Sequence, residues 1–392
     1  MKKVILAYSG GLDTSVILKW LQEEKNLEVV TYTADLGQGD ISDDLEEKAK
    51  NLGADKVVVE DLSEEFISEY VFPMFRCNTI FEGEYLLGTA IARPLIAKKL
   101  VEIGKQEGTN IICHGATGKG NDQIRFEIGA HALNSNIEVI APWREWDMTS
   151  RTDLMSYCKK NQIPMAASKA EEPPFSMDEN LLHISYEGGV LEDLKNPPPE
   201  DMWLNVKSLE DASEKPDEVT IEFYEGNPIS LNSKKLSPAN LFRGLNSLGS
   251  KHGIGRIDIV ESRVTGMKSR GCYETPGGTI LLKARRAMES LCLSGSEIKE
   301  KDKLVPDYAA LIYEGLWWSN KRLELQKNID EISKKVTGQV SLKLYKGNVI
   351  SLGKESANSL YDENKASFEE QGGFSNEDMK NHIERNILDF DA

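Results

Sequence analysis

Cysteine is scarce and scattered: Cys77, Cys113, Cys158, Cys272 and Cys292 are 5 in 392 residues, and no two form a CxxC pair. An odd, widely spread set argues against a disulfide framework and a zinc cage, and it suits a reducing compartment, the cytoplasm. Histidine is sparse as well, at 5, and no Ser-His-Asp or Cys-His signature for covalent catalysis is evident. No stretch approaches the ~18 apolar residues of a membrane-spanning helix. The opening MKKVILAYSGGLD has two lysines and a short apolar run but no full h-region with a cleavage site, so it reads as a buried first strand rather than a signal peptide. Positive charge is in deficit. Lys+Arg 47 against Asp+Glu 64 leaves a net −17, which repels a nucleic-acid backbone but leaves room for a local anion pocket.

What remains is ordinary globular material, 40% hydrophobic and 28% charged, long enough for two to three domains. Up to residue 165, short apolar runs alternate with helical patterns. Strands are expected at Val4–Tyr8, Leu27–Thr33, Lys56–Val59, Ile111–His114 and Glu138–Ile140. Helices are expected at Thr14–Gln22, Asp43–Leu52, Leu87–Ile103, Asp122–Leu133 and Ser150–Asn161. Continuously apolar strands between helices imply an α/β fold, a doubly wound parallel sheet covered on both faces.

Residues 166–174, with Glu171-Glu172-Pro173-Pro174, read as a linker or ordered loop, and Pro197-Pro198-Pro199 as a second break. An α+β region follows to about residue 360. Its strands are Val219–Tyr224 and Arg256–Arg263, and its helices Pro238–Ser247, Ile280–Cys292 and Tyr308–Ile332. A hairpin joins Gln339–Tyr345 to Val349–Leu352. Trp317-Trp318 on the last of these helices reads as core or interface, and Lys301-Asp302-Lys303 as a solvated charge cluster. Residues 361–392 carry nine acids against three bases, with helical spacing from Asn376 to Leu388. They read either as a solvated tail or as an arm whose Met379, Ile383 and Leu388 dock on another subunit.

The strongest local signal is Ala7-Tyr8-Ser9-Gly10-Gly11-Leu12-Asp13-Thr14-Ser15, between the first strand and the first helix. Two glycines permit a sharp turn and close backbone approach, and the helix's positive end attracts phosphate. Ser9, Thr14 and Ser15 add hydroxyl donors. No GxxxxGK[ST] or GxGxxG is present, which excludes a Walker A loop and the dinucleotide fingerprint. Asp13 beside phosphate would be repulsive unless bridged by Mg²⁺, which prefers carboxylate and phosphate oxygens; in the plainer reading it caps the helix. His114–Glu127 forms a second glycine-rich turn, with Thr117, Asn121, Asp122 and Arg125 suited to an amino acid: Asp122 for an ammonium, the donors and cations for carboxylates.

Ser9–Ser15 resembles the pyrophosphate loop of the N-type ATP pyrophosphatases. Within them the chain resembles the argininosuccinate synthase family over essentially its whole length. Glu84–Pro94, His114–Glu127, Ala141–Trp146, Ser176–Leu181, Glu261–Arg263 and Tyr273–Gly278 carry that resemblance. It implies ATP-dependent joining of citrulline and aspartate, with AMP and pyrophosphate released, Mg²⁺ alongside ATP, and a homotetramer. It further implies ATP contacts at residues 7–15, Ala34 and Gly115. Citrulline contacts fall on Tyr85, Ala90, Asn121, Arg125, Ser176, Ser185, Glu261 and Tyr273, and aspartate contacts on Thr117, Asn121 and Asp122, with Asp13 and Asp122 catalytic. Many members have serine where this chain has Ala90, which limits that contact to backbone or van der Waals touch. Taken singly, Ser176 could cap a turn, Tyr273 lie in a core and Glu261 sit on the surface. Rival readings are an adenylating ligase of another substrate, or a nucleotide sensor without turnover.

Overall fold

The computed structural model describes residues 2–39, 44–117, 120–163, 175–366 and 376–388. The chain begins in the middle of a five-stranded sheet. β1 (Lys3–Ala7) leads through α1 (Leu12–Glu23) to β2 (Glu28–Asp35), and through α2 (Leu45–Asn51) to β3 (Lys56–Asp61). A helical run follows: α3 (Ser63–Phe66), a π-helical turn over Ile67–Val71, and α4 (Phe72–Arg76). The long α5 (Gly88–Glu107) then carries the chain to β4 (Ile111–Cys113) on the opposite side of β1. After α6 (Asp122–Leu133) come β5 (Glu138–Ile140), α7 (Pro142–Glu145) and α8 (Arg151–Lys160). The order is β3-β2-β1-β4-β5, every pair parallel.

Burial on both faces explains the unbroken apolar strands. Val4 and Leu6 pack with Val16 and Leu18 of α1, Ala49 of α2 and Leu154 of α8, whereas Ile5 points the other way onto Leu100 and Ile103 of α5 and Phe126 of α6. Because strand order reverses between β1 and β4, their carboxyl ends open a crevice, the usual ligand site of such sheets.

Two antiparallel sheets follow. β6 (Ser176–Asn180) and β7 (His183–Glu187) pair with β11 (Arg256–Ser262) and β12 (Lys268–Glu274) in the order β11-β12-β7-β6. β8 (Asp217–Tyr224), β9 (Asn227–Leu231) and β10 (Lys234–Lys235) join β13 (Gly338–Tyr345) and β14 (Asn348–Glu355) in the order β10-β9-β8-β13-β14. Helices α9 (Pro238–Lys251), α10 (Pro276–Cys292), α11 (Gly295–Tyr313) and α12 (Asn320–Ser333) complete this region. Its core also takes in Phe66, Ile67, Val71, Met74, Phe75 and Ile91, so a stretch of the N-terminal half is built into the second core. The short α13 (Glu363–Ala366) and then α14 (Asn376–Leu388) come last.

Several expectations change. The span Tyr308–Ile332 is not one helix. α11 begins at Gly295 behind a Ser294/Glu297 capping box and runs through Pro306, and a turn at Gly315 (φ +80°) separates it from α12. Trp317 lies in that turn, buried and stacked on Tyr70 at 5.2 Å. Lys303 is exposed as expected, but Lys301 is wholly buried, its Nζ 3.0 Å from Glu289 Oε2 on α10. The helical run 63–76 and the strands β6 and β7 are not among the expected elements, although Phe66, Tyr70 and Met74 recur at helical spacing and Ile184 and Tyr186 alternate like a strand. Asp43, Gly118, Lys119 and the 166–174 segment lie outside the described residues.

Candidate active site

The first turn of α1 and the loop before it form one wall of a cavity of about 480 Å³. Gly10 takes φ +74°, which strains any side chain, and a Cβ there would come within 3.3 Å of Leu45 Cδ1. Ser9 Oγ and Thr14 Oγ1 lie 3.1 Å apart, and the Gly11 amide donates to Ser9 Oγ at 3.4 Å. Ser15 turns inward, its hydroxyl donating to the Gly11 carbonyl at 2.7 Å; it shapes the loop rather than facing the cavity. The N-cap is Gly11, not Asp13, which sits in the first turn of α1 and lines the cavity. Gly115 brings the β4–α6 loop onto this turn: a Cβ there would meet Thr14 Cγ2 at 3.2 Å. Ala7, Tyr8, Ser9, Thr14, Ala34 and Gly115 share the wall with Asp13.

The opposite end is dense with charge. Asp122 opens α6, and its Oδ2 accepts from Arg93 Nε at 2.9 Å while its Oδ1 accepts from Arg125 at 3.0 Å. Burial opposes the charge of this carboxyl, but the two guanidiniums overrule it and hold its pKa at about 2. Arg93 also reaches Asp178 Oδ2 at 2.9 Å. Arg125 donates through Nε to the Tyr313 carbonyl at 2.9 Å, and Asn121 Nδ2 to the Tyr313 hydroxyl at 2.9 Å. Gly315 permits this approach, since a Cβ there would stand 2.8 Å from Arg125 Cα.

The β11-β12-β7-β6 sheet supplies the third wall. Alternation along β6 puts Ser176 and Asp178 on one face, and the register sets Ser185 opposite both Asp178 and Tyr273. Tyr273 lies flat across Gly271, where a Cβ would come within 2.3 Å of its hydroxyl oxygen. From there it donates to Glu261 Oε1 at 2.6 Å and stacks on Tyr85 at 4.4 Å. Glu261 is therefore buried rather than on the surface, and burial raises its pKa. Its Oε2 is buried without a hydrogen-bond partner among the described residues, an acceptor suited to a ligand N–H.

Of the sequence candidates, Tyr85, Thr117, Asn121, Asp122, Arg125, Ser176, Ser185, Glu261 and Tyr273 line this same cavity. Among the described residues its lining does not include Gly10, Gly11, Leu12, Ser15 or Ala90; Ala90 is fully buried in the second core. The wall adds Thr89, Arg93, Asp178, Arg263 and Tyr313, which the sequence reading did not single out. Spacing offered a clue to some of them: Thr89 and Arg93 lie four apart on one helix, and Asp178 alternates with Ser176. Nothing local marks Tyr313.

A family model described as the arginosuccinate synthase N-terminal HUP domain matches residues 3–164, and one described as the C-terminal domain matches residues 175–391. The chain belongs to the argininosuccinate synthase family. It is 58% identical to the argininosuccinate synthase of Helicobacter hepaticus over 392 residues, covering 100% of this chain and 97% of the relative. It is 57% identical to that of a Nitratiruptor species over 392 residues, at 100% and 96% coverage. Identity to the Ectopseudomonas mendocina enzyme is 56% over 389 residues, at 99% and 96% coverage. With its family, the chain is an ATP-dependent ligase of arginine biosynthesis that joins citrulline to aspartate. Among the described residues, no helix is long and apolar enough to cross a membrane.

Proposed function

We propose that this cavity makes argininosuccinate in two displacements through a citrullyl-adenylate. The urea carbon of citrulline is a weak electrophile with no good leaving group. Attack by its ureido oxygen on the α-phosphorus of ATP expels pyrophosphate and converts that oxygen into an AMP leaving group. The amine of aspartate then adds to the activated carbon, AMP departs, and the amine's proton is released. No protein nucleophile is required, and positioning with charge stabilisation supplies the catalysis.

The loop at residues 7–15, with Ala34 and Gly115, would hold ATP, its α1 amides and the Ser9 and Thr14 hydroxyls facing the departing pyrophosphate. Tyr85, Asn121, Arg125, Ser176, Ser185, Glu261 and Tyr273 would hold citrulline, with Ala90 acting only from behind the wall. Thr117, Asn121 and Asp122 would hold aspartate, whose ammonium suits a carboxylate kept ionised by two arginines. The donor set also fits Mg²⁺ carried in with ATP. Asp13 offers one carboxylate beside the phosphate loop, and no group of three or more His, Cys, Asp or Glu forms a cage among the described residues. Bound there, the ion would neutralise phosphate charge.

The observation that carries the reading is a phosphate-type helix terminus and a doubly paired Asp122 in one cavity. Incubation with ATP and Mg²⁺, omitting citrulline and aspartate in turn, tests it. AMP and argininosuccinate together, only when both amino acids are present, are the expected result. AMP formed only with a different acceptor would keep the loop and discard the substrates. ADP would overturn the loop assignment.

We further propose a cytoplasmic homotetramer, organised as an ATP-binding domain (residues 1–165), a synthetase domain (166–360) and an oligomerisation arm (361–392), with the first two both contributing residues to the amino-acid site. On α14, Met379, Ile383 and Ile387 are each about half exposed and spaced four apart, a stripe that needs a cover; Leu388's side chain lies outside the described residues. Removing residues 361–392 should dissociate the tetramer in light scattering, and an unchanged particle mass would refute the arm's role.

A further inference from the structure

His183 begins β7 and is 97% buried behind the cavity wall, with 3% of its surface exposed. Its ring stacks on Tyr273 at 5.7 Å, and its Nε2 lies 3.0 Å from the Thr89 hydroxyl. That hydroxyl has one proton, and it donates it to Asp178 Oδ2 at 3.1 Å. The carboxylate, already bridged to Arg93, can only accept. The Thr89 oxygen must therefore accept from His183, which fixes the imidazole proton on Nε2. Nδ1 is left bare, buried and without a partner among the described residues. It faces Gly88, where a Cβ would lie 2.6 Å from Nδ1 and 2.3 Å from Cγ, so a glycine at the start of α5 is what admits the ring. Burial, then the Arg93 and Arg125 charges, push the imidazole pKa down to about 3 against the opposing pull of Asp122, and the ring stays neutral.

We propose that His183 is a positioning residue for the aspartate end of the site: its Nε2–H fixes the Thr89 hydroxyl, which holds Asp178, and through Asp178 and the shared Arg93 it sets the place of Asp122. The inference rests on the assignment of Asp122 to aspartate made above. Without the histidine proton, the hydroxyl is free to rotate away, Asp178 keeps only Arg93, and Arg93 divides its contacts differently between the two carboxylates. The effect is expected first at the second displacement: the chain of contacts ends on Asp122, reaches the citrulline residue Arg125 only one step beyond it, and has no link to the phosphate loop.

The test compares His183→Leu with His183→Gln, whose amide N–H replaces the Nε2 donor without the ring. Citrulline-dependent exchange of labelled pyrophosphate into ATP, with aspartate omitted, reads the first displacement alone. Full turnover with aspartate varied reads the second. Both substitutions remove the stacking on Tyr273, so any difference between them reports the hydrogen bond. The aspartate KM of His183→Leu is expected to exceed that of His183→Gln roughly tenfold, the size of one hydrogen bond, with equal exchange rates. On a Thr89→Val background, His183→Leu should add nothing to the aspartate KM beyond its stacking effect. Equal aspartate KM values in the Leu and Gln enzymes, or exchange and KM lost in parallel, would reduce His183 to packing. Wild-type enzyme with no citrulline-dependent exchange would instead overturn the adenylation reading, a separate failure.

Discussion

The two ends of the cavity solve the same problem, holding charged ligands, with different materials. At the phosphate end the structure offers backbone amides, two glycines and small hydroxyls on one short loop, with Asp13 the carboxylate on its wall. At the amino-acid end it offers Arg93, Arg125, Asp122, Asp178 and Glu261 from helices and strands far apart in sequence. A polyanion of fixed shape can be bound by a dipole and by close approach. A zwitterion must meet both signs at set distances, and side-chain charges in a cavity hold their places only when each is braced by another. The first solution is local and the second is tertiary.

The comparison can be broken at either end. The largest effect is expected from Asp13→Ala, which should lower pyrophosphate release on the order of 10³-fold with an unchanged melting temperature. An active enzyme would remove Asp13 from the chemistry. Next comes Asp122→Asn, expected to raise the aspartate KM roughly 10²-fold, as loss of a doubly paired charge does, while citrulline-dependent exchange survives. Equal loss of exchange would mean that the two ends are not separable. Because the folded pKa of Asp122 is depressed to about 2, its contribution is complete above the ordinary carboxylate range and vanishes only as pH falls through about 2. No change in aspartate KM between pH 6 and 8 should therefore trace to this group.

Gly271→Ala sharpens the citrulline side. Its Cβ would displace the Tyr273 hydroxyl from Glu261, and a citrulline KM roughly tenfold higher, about one hydrogen bond, with aspartate KM unchanged, is the expected signature in steady-state kinetics. The smallest effect is thermal. Burial raises the Glu261 pKa, so its charge costs stability at neutral pH, a cost relieved as pH falls through the raised folded value and gone below the unfolded one. Glu261→Gln keeps an acceptor for Tyr273 and should melt no lower than wild type at pH 8, losing that advantage toward pH 4, while citrulline binding weakens. A lower melting temperature at pH 8 would contradict the burial argument.

The same division governs what the sequence disclosed. The phosphate loop could be read directly, since its glycines, hydroxyls and position after β1 all lie within nine residues. The parallel sheet was legible for a related reason: strands buried on both faces must be apolar throughout, as Val4, Ile5 and Leu6 are. Tyr313 and His183 could not be found that way, because each acts through a partner more than ninety residues distant. Lys301 misled because a run of charged residues ordinarily meets water. Its counter-ion, Glu289, sits on the preceding helix, and only packing reveals that the pair is enclosed. Pro306 hid the first half of α11 in the same way, since a proline inside a helix reads locally as its boundary.

The stretch from Phe66 to Ile91, two helical segments joined by a turn-rich loop, has a bearing on how this enzyme could be taken apart. It precedes β4 and β5 in the chain, yet its side chains interleave with α9, α10, α12 and β13 in the second core. Asn78 even donates to the enclosed Glu289, at 2.6 Å. A boundary near residue 170 is therefore a seam in the text but not in the fabric. A fragment starting at residue 175 would leave that core open along one side, and a fragment ending at 164 would carry the missing plug as a bare apolar face. The halves of this ligase cannot be traded between relatives as independent cassettes unless the plug travels with the core it fills.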